Sequence, residues 1–376
     1  MKEKSKREKT VTIRDVAEAA GTTIATVSKV FHNTGNISPE LRRTVRAAAQ
    51  SLNYEPNPHA QSLSGGRSYK SIALLSLTLD LGTGTRKLRS IQGQLAQQGF
   101  DVPIYAYGFG SFGEMERQAV AMIRTLRRQR PRVIVCNIDG LSGAALDELK
   151  HYQEEGGLVV CYDFLTELEC DKVILDREDN GYLAARHLLE LGHRKLGLCI
   201  PGVTKPQDSY FEGFQRALHE RGIEVRDEWL FGSHTHSING GLYEDAGEQL
   251  AESFLALKER PSALCIGNDS TAVAFAATLA NAGIHVPNQV SIVGNDDSPI
   301  ARYGTVPLTT ISHPVELIVQ HVVEMVTSRV QEAYEGPARS VHVRGELIER
   351  QSTQPFYDNA KLLHSNGKSR GKARVG

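Results

Sequence analysis

Three short amphipathic helices can be drawn within residues 10–66, and this concentration of helical signals restricts the fold more than any other feature of the chain. The first helix is predicted at residues 13–20. Thr12 precedes it and Asp15 lies three residues later, a pattern like a capping box. Gly21 follows the helix directly and suits a tight turn into the next one.

A second and a third helix complete the unit. Thr23 is the predicted N-cap of a helix over residues 24–31, and Ser38 with Pro39 opens a helix that ends near residue 52. Two helices joined by a glycine-containing turn and followed by a third form a helix-turn-helix, whose second helix enters the DNA major groove. An ordinary three-helix bundle with a polar surface is the alternative. The predicted core consists of Val16, Ala20, Val27, Val30, Phe31, Leu41, Val45, Ala48 and Leu52.

A short helical segment follows the third helix. Asn57 and Pro58 open it with an N-cap residue and a proline, and Gly65 with Gly66 ends it. A helix of about two turns is marginal in isolation, so this one is expected to order only on binding. Leu63 is suited to wedging between base steps in a minor groove. A plain linker is the alternative.

The runs VTIRDVAEAAG, ATVSKVFH and ISPELRRTVRAAAQSLNYEPNPHAQSLSGG resemble the DNA-binding headpiece and hinge of the LacI/GalR family of bacterial repressors. The resemblance implies that Ile24, Ala25 and Lys29 read bases and that Leu63 is the minor-groove wedge. The family usually has arginine in place of Lys29, and lysine lacks the bidentate fork of arginine, so a different operator half-site is expected. The residues predicted to contact DNA are Thr12, Thr23, Ile24, Ala25, Thr26, Ser28, Lys29, Asn36, Tyr54, Asn57, His59, Ala60 and Leu63.

Charge is distributed unevenly along the chain. Residues 1–68 carry eleven Lys and Arg against six Asp and Glu, a net of +5, and the remainder carries a net of −6. A basic module on an acidic body fits phosphate binding at one end of the molecule. No run of about 18 apolar residues exists, and the N-terminus does not read as a signal peptide, so a cytoplasmic protein without membrane contact is expected. The five scattered cysteines are expected to be reduced, buried thiols.

From residue 71 onward, short apolar strands alternate with amphipathic helices, the pattern of right-handed βαβ units in parallel sheets. The number of units favours two doubly wound subdomains with a ligand cleft between them. Strands are predicted at residues 72–77, 102–107, 133–138, 158–162, 172–175, 196–200, 263–266 and 290–293. Helices are predicted at residues 86–98, 114–129, 144–155, 180–191, 210–221, 247–257 and 270–282.

The second half strengthens the family resemblance. The runs DREDNGYLAARHLLELGHRKLGLCIPG, SYFEGFQRAL, ALCIGNDSTAVAFAATLANAGIHVPNQVSIVGNDDSP and PLTTISHP are similar to the effector-binding core of the same family, which resembles a periplasmic sugar-binding protein. The expected fold is therefore a small all-α headpiece with a hinge helix, followed by a periplasmic-binding-protein-like α/β core. The expected divisions are residues 1–56 for the headpiece, 57–68 for the hinge, 69–354 for the core and 355–376 for a disordered basic tail. Within the core, the first subdomain comprises residues 69–174 and 314–339, and the second comprises residues 175–313 and 340–354.

Polar residues at the carboxyl ends of the predicted strands are candidates for a sugar cleft, because doubly wound folds bind ligands there. Asp80, Asp163, Asn268 and Asp296 stand at such ends, although helix capping is the alternative for each. The resemblance places Asp163, Asn268, Asp296 and His313 at effector-contacting or pocket-lining positions.

Two further positions bear on the ligand. The family commonly has arginine where this chain has Tyr210, and tyrosine offers a stacking face and one hydroxyl without charge, which favours a neutral sugar or an aromatic-stacked ligand over an anionic corepressor. His234 lies in a loop that is also expected to line the cleft. Its spacing from His236 would suit a metal, but no third ligand of matching type is placed by the sequence, so neither a metal nor a cofactor is expected.

Two other classes of function remain as alternatives. The glycines from Gly108 to Gly113 match the dinucleotide fingerprint literally, but they follow the second strand and lack an acidic residue at the usual distance, so an enzyme is not expected. A regulator that answers to a protein partner is the other alternative. The expected protein is an allosteric repressor that binds a palindromic operator in double-stranded DNA as a homodimer, since one headpiece reads only a half-site.

Overall fold

The computed structural model describes residues 11–31, 37–52, 54, 68–76, 82–108, 112–137, 143–200, 209–232, 243–331 and 334–356. The chain divides into two compact units, Met1–Tyr69 and Lys70–Gly376. The predicted hinge helix, including Asn57, His59, Ala60 and Leu63, lies outside the described residues, and so does most of the predicted tail.

The described residues of the first unit form three helices, α1 (Ile13–Ala19), α2 (Ile24–Phe31) and α3 (Pro39–Ser51). They pack around one small core that includes every residue predicted for it; of these, Phe31, Leu41 and Leu52 are half-buried at its margin. The helical periodicity of the sequence therefore identified this core correctly, because each helix buries one apolar stripe against the other two.

Local capping chemistry sets the ends of these helices. The Asp15 carboxylate accepts hydrogen bonds from the Thr12 amide, at 2.7 Å, and from the Thr12 hydroxyl, at 2.6 Å. Thr23 Oγ1 accepts from the Thr26 amide at 3.2 Å, and Ser38 Oγ accepts from the amide of Leu41 at 3.3 Å. Gly21 between α1 and α2 has a φ of 62°, a left-handed conformation that favours glycine.

The second unit contains two six-stranded sheets flanked by helices, and this architecture confirms the predicted fold class. The strands are β1 (Ser68–Ser76), β2 (Ile104–Ala106), β3 (Pro131–Asn137), β4 (Leu158–Asp163), β5 (Asp171–Leu175), β6 (Leu196–Cys199), β7 (Leu230–Phe231), β8 (Ala263–Ile266), β9 (Ser291–Asp296), β10 (Thr309–Ser312), β11 (Ser340–Val343) and β12 (Leu347–Ile348). The first sheet has the order β11-β5-β4-β3-β1-β2 and the second has the order β12-β10-β9-β8-β6-β7. The helices are α4 (Gly82–Gln97), α5 (Phe112–Gln129), α6 (Ala144–Glu154), α7 (Arg177–Glu190), α8 (Ser209–His219), α9 (Tyr243–Ala256), α10 (Asp269–Asn281), α11 (Pro299–Tyr303) and α12 (Val315–Val330).

The chain passes between the two sheets three times. It crosses from β5 into α7, returns after β10 into α12, and crosses again between β11 and β12. Helix α12 packs its apolar face on the first sheet, where Ile318 and Val322 are fully buried. The crossings bring the carboxyl ends of both sheets to one region, where doubly wound folds bind ligands.

One predicted boundary is wrong. The sequence predicts residues 340–354 in the second subdomain, but Ser340–Val343 pairs in parallel with β5 of the first sheet, and Leu347–Ile348 joins the second sheet. The physical reason is proximity: α12 lies on the first sheet, so the chain leaving it reaches the β5 edge first. Val343 completes the apolar core there, and Arg329 and Arg339 both pair with the buried carboxylate of Asp171.

All five cysteines are buried and free, as expected. Within the described ranges, no helix combines the length and the apolar character needed to cross a bilayer. The same residues contain no group of three or more His, Cys, Asp or Glu side chains placed to hold a metal ion.

Helices α7 and α8 pack almost backbone to backbone. A Cβ atom added to Gly213 would lie 1.7 Å from the carbonyl oxygen of Glu178, and one added to Gly181 would lie 2.0 Å from that of Tyr210. The contact therefore requires glycine at both positions. Glycine is required here because a side chain would not fit between the helices, and not because of backbone conformation, since neither glycine has a positive φ.

We expect Gly213→Ala to destabilise the protein by about 1–3 kcal/mol or more, because the two helices must move apart to admit a methyl group. Gly93→Ala is the matched control, since Gly93 lies inside α4 with nothing within 4 Å of an added Cβ atom. That control should be neutral or stabilising by up to about 1 kcal/mol. Urea unfolding monitored by circular dichroism measures both, and equal effects of the two substitutions would contradict the close-packing argument.

Candidate operator interface and effector cleft

Helix α2 presents a face that its core does not use. Val27 and Val30 are buried, whereas Ile24, Ala25 and Lys29 are exposed. Ile24 has 42% of its surface exposed, a large apolar side chain at the first position of the helix. A thymine methyl is an apolar partner for such a side chain in a major groove, and the Lys29 ammonium can donate to a guanine or a phosphate.

The remaining predicted DNA contacts are distributed around this face. Thr12 and Thr23 are exposed at the starts of α1 and α2, and their hydroxyls also serve the helix caps. Thr26 and Ser28 are half-buried beside the exposed positions. Tyr54 packs against Phe31, with ring centroids 6.0 Å apart, and burial raises the pKa of its phenol. Asn36 lies outside the described residues, and all these contacts stay predictions.

At the carboxyl end of the first sheet, Asp163 is the centre of a buried polar cluster. It is the last residue of β4, is 3% exposed and has a φ of 73°. Its Oδ2 atom accepts hydrogen bonds from the ammonium of Lys87, on α4, and from Nδ2 of Asn137 at 2.9 Å. Lys87 is only 1% exposed, so this is a fully buried ion pair.

His313 connects this cluster to the second sheet. It follows β10 at the crossover into α12, and its Nε2 atom lies 2.8 Å from Nζ of Lys87. An ammonium can only donate, so Nε2 accepts and the ring hydrogen is on Nδ1. Nδ1 lies 3.3 Å from Oδ1 of Asp296, the last residue of β9, and donates to it.

The chain of polar contacts continues beyond Asp296. Oδ1 of Asp296 also accepts from Nδ2 of Asn295 at 3.1 Å, and Asn295 Oδ1 accepts from Asn180 on α7 at 3.3 Å. Asn180 Oδ1 accepts from the amide of Gly345 in the third crossover. One polar chain therefore joins the strand ends of both sheets to two of the crossings. Its two aspartates have positive φ values, 73° and 121°, a backbone strain that concentrates at functional sites.

Burial and charge act in opposite directions on Asp163. Burial alone would raise the pKa of this carboxyl, but the Lys87 ammonium holds it well below its usual range. Asp163 is therefore ionised at neutral pH. The Asp163–Lys87 pair is neutral as a unit. In the chain of polar contacts, the carboxylate that is partly open to solvent is that of Asp296, whose side chain is 21% exposed.

Asp269 behaves differently. Burial and the nearby charge of Asp296 raise the pKa of its carboxyl to about 7, although donors from Thr310 and Ser298 oppose the shift. Thr310 Oγ1 donates to Oδ1 at 2.6 Å, and the Ser298 amide donates to Oδ2 at 2.7 Å. Asp269 ties β10 and the start of α11 to α10, and we assign it a structural role.

The structure places the predicted effector residues unequally. Asp163, Asp296 and His313 lie together in the polar chain. Asn268 is 7% exposed and caps α10 by accepting from the Thr271 amide at 2.8 Å, the alternative role foreseen for it. Asp80 and His234 lie outside the described residues.

The expectation of a stacking face at Tyr210 is wrong for this conformation. Tyr210 is 2% exposed and belongs to the same apolar core cluster as Ala185 and Phe214. The cause is the glycine contact between α7 and α8, which draws the first turn of α8 into the helical layer.

Sequence reasoning missed Lys87 and Asn137. Lys87 stands four residues before Ile91 and eight before Leu95, so helical periodicity puts it on the buried stripe of α4, and that was the available signal. Asn137 is the last residue of β3, whereas the sequence predicts that this strand ends one residue later, at residue 138.

A helix-turn-helix headpiece joined to a core of two doubly wound sheets, with a polar site at their strand ends, defines the class of ligand-responsive DNA-binding regulators. Residues 12–57 match the profile of bacterial regulatory proteins of the lacI family, and residues 185–353 match that of the periplasmic binding protein-like domain. The chain belongs to the LacI/GalR family of DNA-binding transcriptional regulators.

Curated relatives agree with this assignment along the whole chain. The HTH-type transcriptional repressor PurR of Pectobacterium carotovorum subsp. carotovorum is 29% identical over 351 residues, which cover 92% of this chain and 98% of that protein. PurR of Yersinia pestis is 28% identical over the same length. These relatives are repressors, and the chain is a regulator rather than an enzyme.

Solved structures share the fold. The lac repressor dimer bound to operator and the anti-inducer ONPF superposes with a TM-score of 0.71 at 23% identity, covering 92% of this chain and 100% of that one. A LacI family regulator from Enterococcus faecium with bound ribose gives 0.65 at 22% identity, covering 77% of this chain and 100% of that one. A CelR–cellobiose complex gives 0.63 at 22% identity, covering 91% of this chain and 99% of that one.

The raised pKa of Asp269 predicts a pH dependence of stability. A carboxyl whose pKa rises from 3.8 to about 7 on folding binds a proton more tightly in the folded state, so its contribution is full below pH 4 and is lost as the pH rises to about 7. We expect Asp269→Asn to remove a slope of up to about 1.4 kcal/mol per pH unit between pH 5 and 7. Denaturant unfolding at several pH values measures this, and an unchanged slope would contradict the assignment.

Proposed function

We propose that this protein is a repressor that binds a palindromic operator as a homodimer and that a small polar ligand in the cleft controls its affinity for DNA. The polar chain from Asn137 to Asp296 carries the proposal, because it spans the strand ends of both sheets where a ligand would contact both at once. The exposed face of α2 supports the DNA-binding part. The homodimer follows from symmetry, since one recognition helix reads one half-site.

The proposed mechanism is a linkage between two sites. A ligand that changes the angle between the two sheets alters the spacing of the two hinge segments, residues 57–64, across the dimer. That spacing decides whether the segments fold and insert Leu63 into the minor groove. Coupling of this kind is typically worth about 1–3 kcal/mol and is reciprocal, so DNA must change ligand affinity by the same factor.

A sugar or sugar derivative is the proposed ligand class. The E. faecium regulator contains ribose and the CelR complex contains cellobiose in folds that superpose on this chain. Carboxylates and amides at the strand ends suit vicinal hydroxyl groups, which both donate and accept hydrogen bonds. The protein is proposed to work in the bacterial cytoplasm in association with the nucleoid, where its operator lies.

Selection of bound DNA from a random duplex pool tests the operator proposal. We expect a two-fold symmetric consensus. Lys29→Ala should weaken binding to it by about 5- to 150-fold, because good contacts to base edges are worth about 1–3 kcal/mol. Leu63→Gly should also reduce specific affinity and leave weak, salt-sensitive binding to unrelated DNA intact, since phosphate contacts supply the latter.

Lys70→Ala is the matched control for Lys29→Ala, because Lys70 is an exposed lysine on β1 of the second unit. It should leave the operator affinity unchanged. A consensus without two-fold symmetry would contradict the homodimer, and an unaltered affinity of Leu63→Gly would contradict the wedge.

A thermal-shift screen tests ligand control. Neutral sugars, sugar acids, sugar phosphates and purines are added to the full-length protein, and a ligand at about 100 times its dissociation constant should add about 2.7 kcal/mol to the free energy of unfolding. A stabilising ligand must also alter operator affinity in a gel-shift titration. Binding without any effect on operator affinity would refute the linkage, and silence across the panel would favour a protein partner.

A further inference from the structure

The Lys87–Asp163 pair has one N–H donor and one carboxylate oxygen without a hydrogen-bond partner among the described residues. An ammonium has three N–H donors, and within the described residues two of them are used, by Asp163 and His313. Asp163 Oδ2 accepts two hydrogen bonds. Oδ1 is buried, and no group among the described residues donates a hydrogen bond to it. His313 Nε2 lies 3.5 Å from Oδ1, yet this nitrogen accepts from Lys87 and carries no hydrogen.

A buried polar atom without a partner is costly, so the spare donor and the spare acceptor define the chemistry that would complete them. A hydroxyl group can accept from the ammonium and donate to the carboxylate at the same time. A carboxylate or phosphate could use the ammonium, but it would place its negative charge against Asp163 and Asp296. A ligand ammonium could use Oδ1, but it would lie against the charge of Lys87.

We propose that Lys87 is the specificity-determining residue of the effector cleft. It neutralises Asp163 and thereby selects an uncharged polyhydroxy ligand, one hydroxyl of which accepts from Lys87 Nζ and donates to Asp163 Oδ1. This inference rests on the proposed function, because it assumes that the cleft takes a ligand. It adds that the charge of the Lys87–Asp163 pair, and not the side chain at position 210, sets the charge class of that ligand.

A ligand would enter at the Asp296 end of the polar chain. The side chain of Asp296 is 21% exposed, whereas the side chains of Asp163 and His313 are 3% and 5% exposed. A polyhydroxy ligand can first meet Asp296 and then reach the buried pair when the sheets separate at the His313 crossover. A second hydroxyl on the ligand would contact Asp296.

Matched ligand trios give a sharp test. The full-length protein is titrated calorimetrically with D-glucose, D-glucosamine and D-glucuronate, with the corresponding galactose trio, and with ribose and cellobiose. We expect a neutral sugar to bind more tightly than the amine or the acid of its trio. A crystal structure with that sugar should place one hydroxyl within hydrogen-bond distance of both Lys87 Nζ and Asp163 Oδ1.

Removal of one charge of the pair should change the ligand preference. Lys87→Met leaves Asp163 without its counter-ion, so affinity for the neutral sugar should fall by about tenfold or more and the amino sugar should become the preferred member. Asp163→Asn leaves Lys87 charged and should favour the sugar acid. The double variant Lys87→Met with Asp163→Asn carries no charge at the pair. It should again prefer the neutral sugar, and it keeps the test valid if a single variant fails to fold.

Arg86→Met is the matched control, because Arg86 precedes Lys87 on α4 but pairs with Glu316 at the surface, with 44% of its side chain exposed. It should leave the ligand order unchanged. The inference is overturned if the wild-type protein prefers the acid or the amine, if no sugar binds, or if Lys87→Met keeps the wild-type order. Wild-type operator binding, measured on the same preparation, separates these results from failure of the proposed function, which would appear as loss of a symmetric DNA target.

Discussion

The buried ion pair between Lys87 and Asp163 constrains the rest of the core. Removing two charges from water costs several kcal/mol per ion, and their attraction offsets this only when the remaining polar atoms are satisfied. Asn137 and His313 provide part of that satisfaction, so the strand ends of the first sheet and the crossover from the second must stay in register around the pair. A well-packed apolar pair would stabilise the protein as well or better, and this makes a functional reason for the charges the stronger explanation.

The crossovers connect these local contacts to the relative arrangement of the two sheets. Two sheets that share three chain passages can change their relative angle only if the contacts at the passages change. His313 stands at one passage, and Asn180 bonds to Gly345 at another. A ligand that inserts between Asp163 and Asp296 therefore acts on the same hydrogen bonds that hold the sheets in their present arrangement. Such a shared set of contacts is the physical requirement for linkage between ligand and DNA.

The headpiece follows a different design. Its core is small, and its helices are held by caps and by one stripe of apolar residues each. Ile24 is exposed on α2 and is not part of that core. The surface proposed to contact DNA is thus built from side chains that the core does not need, so those side chains can change without loss of the headpiece fold.

Local sequence determined the headpiece core, the helix caps, the alternation of strands and helices, and the aspartates at the ends of β4 and β9, because each depends on spacing between near neighbours in the chain. Tertiary structure decided the rest. Only the packing of α4 against the first sheet brings Lys87 to Asp163, which is 76 residues away, and only the close contact of α7 with α8 buries Tyr210. The pairing of Ser340–Val343 with the first sheet was likewise set by where α12 ends. Spacing along the chain encodes one face of one element, whereas partners that are distant in sequence are chosen by the competition of whole elements for buried surface.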